Sequence, residues 1–360
     1  MNQKRGLKDD TLAIYGAVSQ VMEIEETTVS RGDSLQMMGR FLPFLPQPAL
    51  SLRERLAPFG YPYHLARSGD RIILRLWEES RAKARPSGLL NLLLFLLTAL
   101  STLYAGALQE GGNPFQHLYD LSRGIPFSFT LMAILGIHEL GHYFVSRRHH
   151  IRVTLPYFIP APSILGTFGA FIKMKSPIPD KRTLLDIGIA GPLAGFVVAL
   201  PALMIGLKLS HLAPSAKVEG LNLGSSLLFN LLSALIVGSV PANYDLILHP
   251  IAFAGWIGIL VTALNLLPLG QLDGGHVAYA LLGKRQHWLA RAIFLALLLL
   301  GFLWQGWLFW AFLSLLMGMR HPAPMDDQTP LDRRRKALGL LAFLIFVLCF
   351  IPVPFQIRQP

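Results

Sequence analysis

Long apolar runs separated by short polar stretches make up most of the chain after residue 88, whereas the first 86 residues mix charged and apolar positions. Five of the runs approach the twenty or so apolar residues that a helix needs to cross a bilayer. They cover residues 89–108, 125–146, 184–209, 250–267 and 337–354. The pattern predicts an all-α polytopic membrane protein.

Two further apolar runs do not fit a single crossing. Residues 292–318 would extend about 40 Å as one helix, too long for one upright span and short for two, so we expect a hairpin that turns near residues 301–306. We interpret residues 221–240 as re-entrant or interfacial, because only then do the polar residues discussed below reach the same depth. The expected fold therefore has about six to seven transmembrane helices.

The charged N-terminal part, residues 1–86, contains no run long enough to cross a membrane. Residues 51–56 are expected to form a helix, and the alternation of residues 71–77 indicates a strand. We therefore predict a small N-terminal α+β soluble domain of unknown role over residues 1–86. Residues 87–355 would form the transmembrane domain.

Composition and charge narrow the class of protein. With 52% hydrophobic and 15% charged residues, against about 25% charged in an average soluble domain, the chain is neither disordered nor an ordinary soluble enzyme. Its single cysteine, Cys349, excludes disulfide scaffolds and Cys-rich zinc sites. The net charge of +11 does not indicate nucleic acid, because the excess lies mostly at the ends of apolar runs. Arg81, Lys83 and Arg85 then place the first domain in the cytoplasm.

An H-E-x-x-H pattern, residues 138–142, lies inside the second apolar run. Helical spacing puts His138 and His142 on one face, one turn apart, where two imidazoles can bind one Zn²⁺. Glu139 can accept a proton from water that the metal activates. Ionisable residues in a membrane span are costly and by default functional, which favours this interpretation over a polar patch packed inside a helical bundle.

A catalytic zinc site needs a third protein ligand. Of the downstream acidic residues, only Asp273 lies deep among apolar residues, where Pro268 and Gly274 interrupt the helix. An Asp-Gly pair alone is a common turn and does not identify a ligand. Nearby His276 would either orient Asp273 or cap a helix.

The two motifs together make the sequence resemble the site-2 protease family of intramembrane zinc metalloproteases, which pair H-E-x-x-H with a later N-x-x-P-x-x-x-L-D-G element. The resemblance implies one zinc ion bound by His138, His142 and Asp273, with Glu139 as the catalytic base. It also implies that the rest of the second motif, together with His276, positions substrate or supports the ligands. These residues are Asn265, Pro268, Gly274 and His276.

Other sequence segments are similar to the branch of this family found in cyanobacteria and in plastids, the latter named for ethylene-dependent gravitropism deficiency. They occupy residues 91–98, 249–256 and 264–276. Residues 190–195 look like the family's A-G-P segment, although Gly195 stands where the family often has Asn. The resemblance implies hydrolysis of peptide bonds within or near transmembrane segments of membrane-anchored proteins.

Several alternatives stay open at this stage. The chain could be a non-catalytic transporter or chaperone-like binder, or a membrane-anchored zinc protease acting on soluble proteins, and two His with one Asp suit several divalent metals. Residues 167–174 are expected either to form a hairpin at the membrane surface that pairs with a substrate strand or to be a plain loop. The N-terminal domain would bind a regulatory partner or support a homo-oligomer. A bacterial inner membrane is the expected location, with a thylakoid or plastid membrane as the alternative.

Overall fold

The computed structural model describes residues 6–30, 34–46, 48–68, 70–78, 88–215 and 221–357. Arg81, Lys83 and Arg85, and the predicted boundary at residue 86, lie outside the described residues. The chain divides into two compact units. The first consists of Met1–Arg85, Pro177–Leu184 and Pro322–Leu331, and the second contains the rest. A separate soluble domain over residues 1–86 stays a prediction.

The first unit contains a four-stranded antiparallel sheet and two helices. The elements are α1 (Leu7–Ser19), β1 (Met22–Ser30), β2 (Ser34–Phe41), α2 (Pro48–Leu56), β3 (Tyr63–Ser68) and β4 (Arg71–Trp77), and the strand order is β1-β2-β4-β3. Ile72, Leu74 and Leu76 of β4 are buried in alternation, as predicted. Helix α1 and the other three strands are not evident from the sequence pattern, because charged residues interrupt their apolar positions.

Three long helices lie wholly or mostly in the second unit: α3 (Gly88–Gln109), α4 (Ile125–Arg148) and α5 (Lys181–Leu209), whose first four residues belong to the first unit. A 3-10 helix, Leu118–Gly124, leads directly into α4. In the part of the chain that the structure describes, these three segments are the ones long and apolar enough to cross a membrane, judged by length and composition. Their bounds agree within three residues with the runs identified from sequence.

The remaining helices of this unit are shorter. They are α6 (Leu227–Ile236), α7 (Pro250–Asn265), α8 (Asp273–Leu282), α9 (Gln286–Leu300), α10 (Gly306–Met317) and α11 (Arg333–Cys349). Helix α6, with ten residues, rises about 15 Å and is too short to cross a bilayer, as expected for that segment. The chain also turns between α9 and α10 where a hairpin is expected.

The second unit is not purely α-helical: besides the expected β-hairpin element it contains two further pairs of short strands. Three two-stranded antiparallel sheets join β5 (Tyr157–Pro160) to β6 (Thr167–Phe171), β7 (His211–Pro214) to β9 (Tyr244–Ile247), and β8 (Leu221–Leu223) to β10 (Phe355–Ile357). Only the first coincides with the expected hairpin. The other strands have three or four residues each, too few to show a period in the sequence.

The β5–β6 hairpin lies along α3, and its expected position at the membrane surface stays a prediction. The Asn91 side-chain amide of α3 donates to the carbonyl oxygens of Leu155 and Pro156, at 3.0 and 2.8 Å. Ser101 and Gln109 donate to carbonyls of the hairpin turn, at 2.6 and 2.7 Å. Along a helix Asn91 and Gln109 are about 27 Å apart, so the hairpin follows most of α3. These bonds satisfy carbonyls that lipid could not.

A buried cluster fixes the loop between α7 and α8. Leu267 and Leu269 of this loop pack on α9 and α10, together with the buried Trp307. The Trp307 indole N–H donates to the carbonyl of Pro352 at 2.6 Å. The α9–α10 hairpin therefore supports the loop that leads to Asp273.

Candidate metal centre

Helix α4 brings His138, Glu139 and His142 into the interior of the second unit, where all three are buried. The spacing of four residues places both imidazoles on one face of α4. Their Nε2 atoms are 3.2 Å apart. The helical placement expected from the H-E-x-x-H pattern is therefore observed.

Asp273 reaches the same place from the first turn of α8. Helix α7 ends at Asn265, three residues before Pro268, in keeping with the bias against helix before proline. Gly274 permits the tight return of the chain, since a Cβ atom there would lie 2.0 Å from the carbonyl oxygen of Leu266. Pro268 and Gly274 therefore shape the loop that presents the Asp273 carboxylate.

The three predicted ligands form a nearly equilateral triangle. Asp273 Oδ2 is 3.4 Å from His138 Nε2 and 3.3 Å from His142 Nε2. Ligands at about 2.0–2.1 Å from a tetrahedral zinc ion are separated by about 3.3 Å. In the described residues these three form the group of His, Cys, Asp and Glu side chains that could hold a metal ion. The spacing thus fits a metal of this size.

Hydrogen bonding also prepares His142 to bind a metal. Its Nδ1 lies 2.8 Å from the carbonyl oxygen of Ile187 on α5. A carbonyl can only accept, so Nδ1 carries the proton and Nε2 presents its lone pair to the triangle. No sequence pattern could have identified Ile187, because its contribution is a backbone carbonyl.

Small residues let α5 approach the two histidines. A Cβ atom at Gly191 would lie 2.0 Å from His142 Nε2, and one at Gly195 would lie 3.2 Å from His138 Cβ and Nδ1. The A-G-P segment noted in the sequence therefore packs its backbone against the site. Where the family often has Asn, this chain has Gly195 next to the His138 ring. The signal that could have identified this face is the helical spacing of Gly188, Gly191 and Gly195.

Glu139 and Asn265 lie beside the triangle. The backbone of Ile172, the residue after β6, lies close to the Glu139 carboxylate. The Asn265 side-chain nitrogen is 3.3 Å from His138 Nε2. The sequence analysis did not anticipate Ile172, since it too acts through its backbone.

The His276 ring contacts the residue that precedes Asp273. Its Nδ1 donates to the carbonyl of Leu272 at 2.9 Å. Its buried ring packs edge-on against His321, with centroids 4.7 Å apart. His276 thus fixes the residue immediately before Asp273.

Comparisons with known proteins agree with this geometry. The model of peptidase family M50 matches residues 126–303. The Arabidopsis thaliana protein "Probable zinc metalloprotease EGY1, chloroplastic" is 31% identical over 319 residues, which cover 80% of this chain and 58% of that protein. The chain belongs to peptidase family M50. The resemblance to the site-2 protease family, and to its plastid branch, is therefore confirmed.

Two further M50 relatives show the extent of the likeness. EGY2 of Arabidopsis thaliana is 31% identical over 272 residues, covering 72% of this chain and 48% of that protein. EGY1 of Oryza sativa subsp. japonica is 32% identical over 247 residues, which cover 61% of this chain and 42% of that protein. The chain thus spans about half the length of the curated relatives it matches. No solved structure matches it.

Proposed function

We propose that this M50 chain is an intramembrane zinc metalloprotease that hydrolyses peptide bonds within or near transmembrane segments of membrane-anchored proteins. One observation carries the proposal: three ligand atoms separated by 3.2–3.4 Å lie beside a buried glutamate on an apolar helix. The relatives are named as zinc metalloproteases, which supports zinc, one ion per chain.

His138, His142 and Asp273 would hold the metal and leave a fourth position open. Zinc, when bound, supplies Lewis-acid chemistry that polarises a carbonyl and makes water more acidic. Glu139 takes a proton from the attacking water and returns it to the leaving amine. The backbone of Ile172, next to Glu139, would help to orient the carboxylate.

The other motif residues have supporting roles in this proposal. The Asn265 amide, next to His138, is placed to donate a hydrogen bond to a substrate carbonyl. Pro268 and Gly274 shape the loop before α8, and His276 holds its last carbonyl. These residues position Asp273 and substrate without taking part in proton transfer.

A transmembrane substrate must unwind before it can be cut, because a helix keeps its carbonyls in hydrogen bonds. The β5–β6 hairpin offers a means to hold the unwound segment. In the described residues its two strands pair only with each other, so an extended substrate can add to one edge by backbone pairing. Ile172 links that hairpin directly to Glu139.

The topology and location are part of the proposal. We infer six to seven crossings, with the N-terminal domain on the cytoplasmic side of the membrane, or on the equivalent stromal side of a plastid membrane, where it would bind a regulatory partner or a second copy. Of the two compartments expected from sequence, a plastid membrane is favoured over a bacterial inner membrane, because the relatives are named as chloroplastic. Helices α3, α4 and α5, which are long and apolar enough to cross a membrane, would contact the lipid bilayer.

The test reconstitutes the full chain in liposomes with a single-span reporter protein and maps the products by mass spectrometry. We expect cleavage within or beside the span, faster when a Gly-Pro pair interrupts the reporter helix. Glu139→Gln should abolish this cleavage. Glu110→Gln is the matched control for that variant, since Glu110 is exposed and lies 29 residues before Glu139. Cleavage confined to soluble, unfolded proteins would contradict the proposed substrate class.

A further inference from the structure

A second polar site lies at the first turn of α11, and none of the metal ligands lines it. It is a cavity of about 530 Å³. Its lining combines three basic residues, two acidic residues and one apolar residue: Arg333, Arg334, Arg335, Asp186, Asp332 and Leu338. The proposed protease chemistry makes no use of this cavity.

The two acidic residues of the cavity are already engaged by one arginine. Arg335 Nε and Nη2 donate to the two carboxylate oxygens of Asp186, at 2.8 and 2.7 Å. Its Nη1 donates to Asp332 at 2.5 Å. Asp186 also contacts His149 Nε2 at 3.0 Å, and Asp332 accepts from the backbone N–H of Arg335 as helix cap. Little capacity is left to neutralise further cations.

Arg333 and Arg334 therefore supply the excess positive charge. Both side chains are exposed, and neither makes an ion pair with any residue in the described part of the chain. They stand at the N-terminal end of α11, where the helix dipole adds a partial positive charge. A cavity with this charge is complementary to an anion.

An apolar track continues from these arginines along α11. Leu338 and Leu341 follow Arg334 at spacings of four and seven residues and so share its face, and Leu344 continues the track one turn further along α11. All three are exposed, by 38%, 43% and 53%. A basic pocket followed by an exposed apolar face matches an amphiphile better than a small soluble anion.

We propose that this cavity binds an anionic membrane lipid. The headgroup phosphate would pair with Arg333 and Arg334, and an acyl chain would lie along Leu338, Leu341 and Leu344. Free phosphate could satisfy the arginines but would gain nothing from the leucines. The site is independent of the proposed proteolysis.

The test uses the full chain in detergent and measures bound phosphatidylglycerol by native mass spectrometry during a titration. The variant is Arg333→Gln with Arg334→Gln. We expect its apparent affinity to fall roughly 30-fold, which corresponds to about 1 kcal/mol from each of two arginines. Arg335 and its ion pairs are left intact, so that the fold is preserved, as checked by cooperative thermal unfolding.

A matched control carries Arg147→Gln and Arg148→Gln, two exposed arginines at the end of α4 that do not line the cavity. It should retain affinity within about twofold of the native chain. Equal losses in both double variants would show general attraction to basic residues and overturn the proposal. Glycerol 3-phosphate and phosphatidylcholine form two further arms. Competition by glycerol 3-phosphate as strong as by the lipid, or equal binding of phosphatidylcholine, would also overturn it.

Discussion

The substitution Gly191→Ala tests most sharply how α5 supports the metal centre. The added Cβ would lie 2.0 Å from His142 Nε2, and 2.4 and 2.6 Å from the neighbouring ring carbons. Ordinary carbon contacts begin near about 3.5 Å. Either the ring or helix α5 must therefore move by about 1.5 Å.

Such a displacement is large for a metal site. Ligand distances tolerate only about 0.2 Å of error, and disturbing groups that orient a ligand typically lowers metal affinity about 10–100-fold. Because Gly191 meets the ligating atom itself, we expect a loss of about 100-fold. Competition with a calibrated chelator measures the affinity in purified full chain. Zinc-dependent stabilisation in thermal unfolding, large for the native chain, should be lost in the variant.

Gly195→Ala is the matched control on the same helix. Its Cβ would meet His138 at 3.2 Å, on Cβ and Nδ1 rather than on Nε2, so a shift of a few tenths of an ångström suffices. Alanine is also favoured over glycine by up to about 1 kcal/mol inside a helix. We expect native zinc affinity. If Gly191→Ala binds zinc as tightly as Gly195→Ala, the close approach of α5 to His142 is refuted.

Three further predictions concern stability. Asn91→Leu leaves the carbonyls of Leu155 and Pro156 without this donor and should lower the free energy of unfolding by about 1–3 kcal/mol for each carbonyl. Limited proteolysis should then cut the hairpin faster than in the native chain. Resistance equal to that of the native chain would argue against anchoring of the hairpin by α3. Burial raises the pKa of Tyr63 to about 12, so the folded chain keeps this proton longer than the unfolded chain and stability falls as pH rises above about 10. Between about pH 9 and 11, the free energy of unfolding of Tyr63→Phe should fall by about 1 kcal/mol less than that of the native chain in denaturant titrations. An equal fall in both proteins would refute this. Trp307→Phe removes a buried hydrogen bond and should cost about 1–3 kcal/mol, measured by thermal unfolding; a native melting temperature would contradict it.

The ligands could be predicted from sequence because their chemistry is local. His138 and His142 are joined by helical spacing, and Asp273 is the downstream acid among apolar residues. The structure adds what spacing cannot encode: the Ile187 carbonyl that sets the His142 tautomer and the backbone of Ile172 beside Glu139. Backbone groups carry no signature in residue identity. Their position depends on how α5 and the β5–β6 hairpin pack on α4.

In the fold, too, some elements could be predicted from the sequence and others could not. Runs of apolar residues predicted α3, α4 and α5 because length and hydropathy suffice to define them. The short pairs β7–β9 and β8–β10 were missed because their partners lie 30 or more residues apart in the sequence. The position of hairpin β5–β6 along α3 is also absent from the sequence pattern. The polar groups of α3 that hold it, Asn91 among them, sit singly in an apolar run and carry no period.

The most direct test of the central claim measures zinc content and reporter cleavage on the same preparations of the native chain, Glu139→Gln and Asp273→Ala. The account predicts that the native chain holds about one zinc and cleaves, that Glu139→Gln keeps its zinc without cleaving, and that Asp273→Ala holds zinc weakly. Cleavage by Glu139→Gln at the native rate, or full zinc binding by Asp273→Ala, would contradict it.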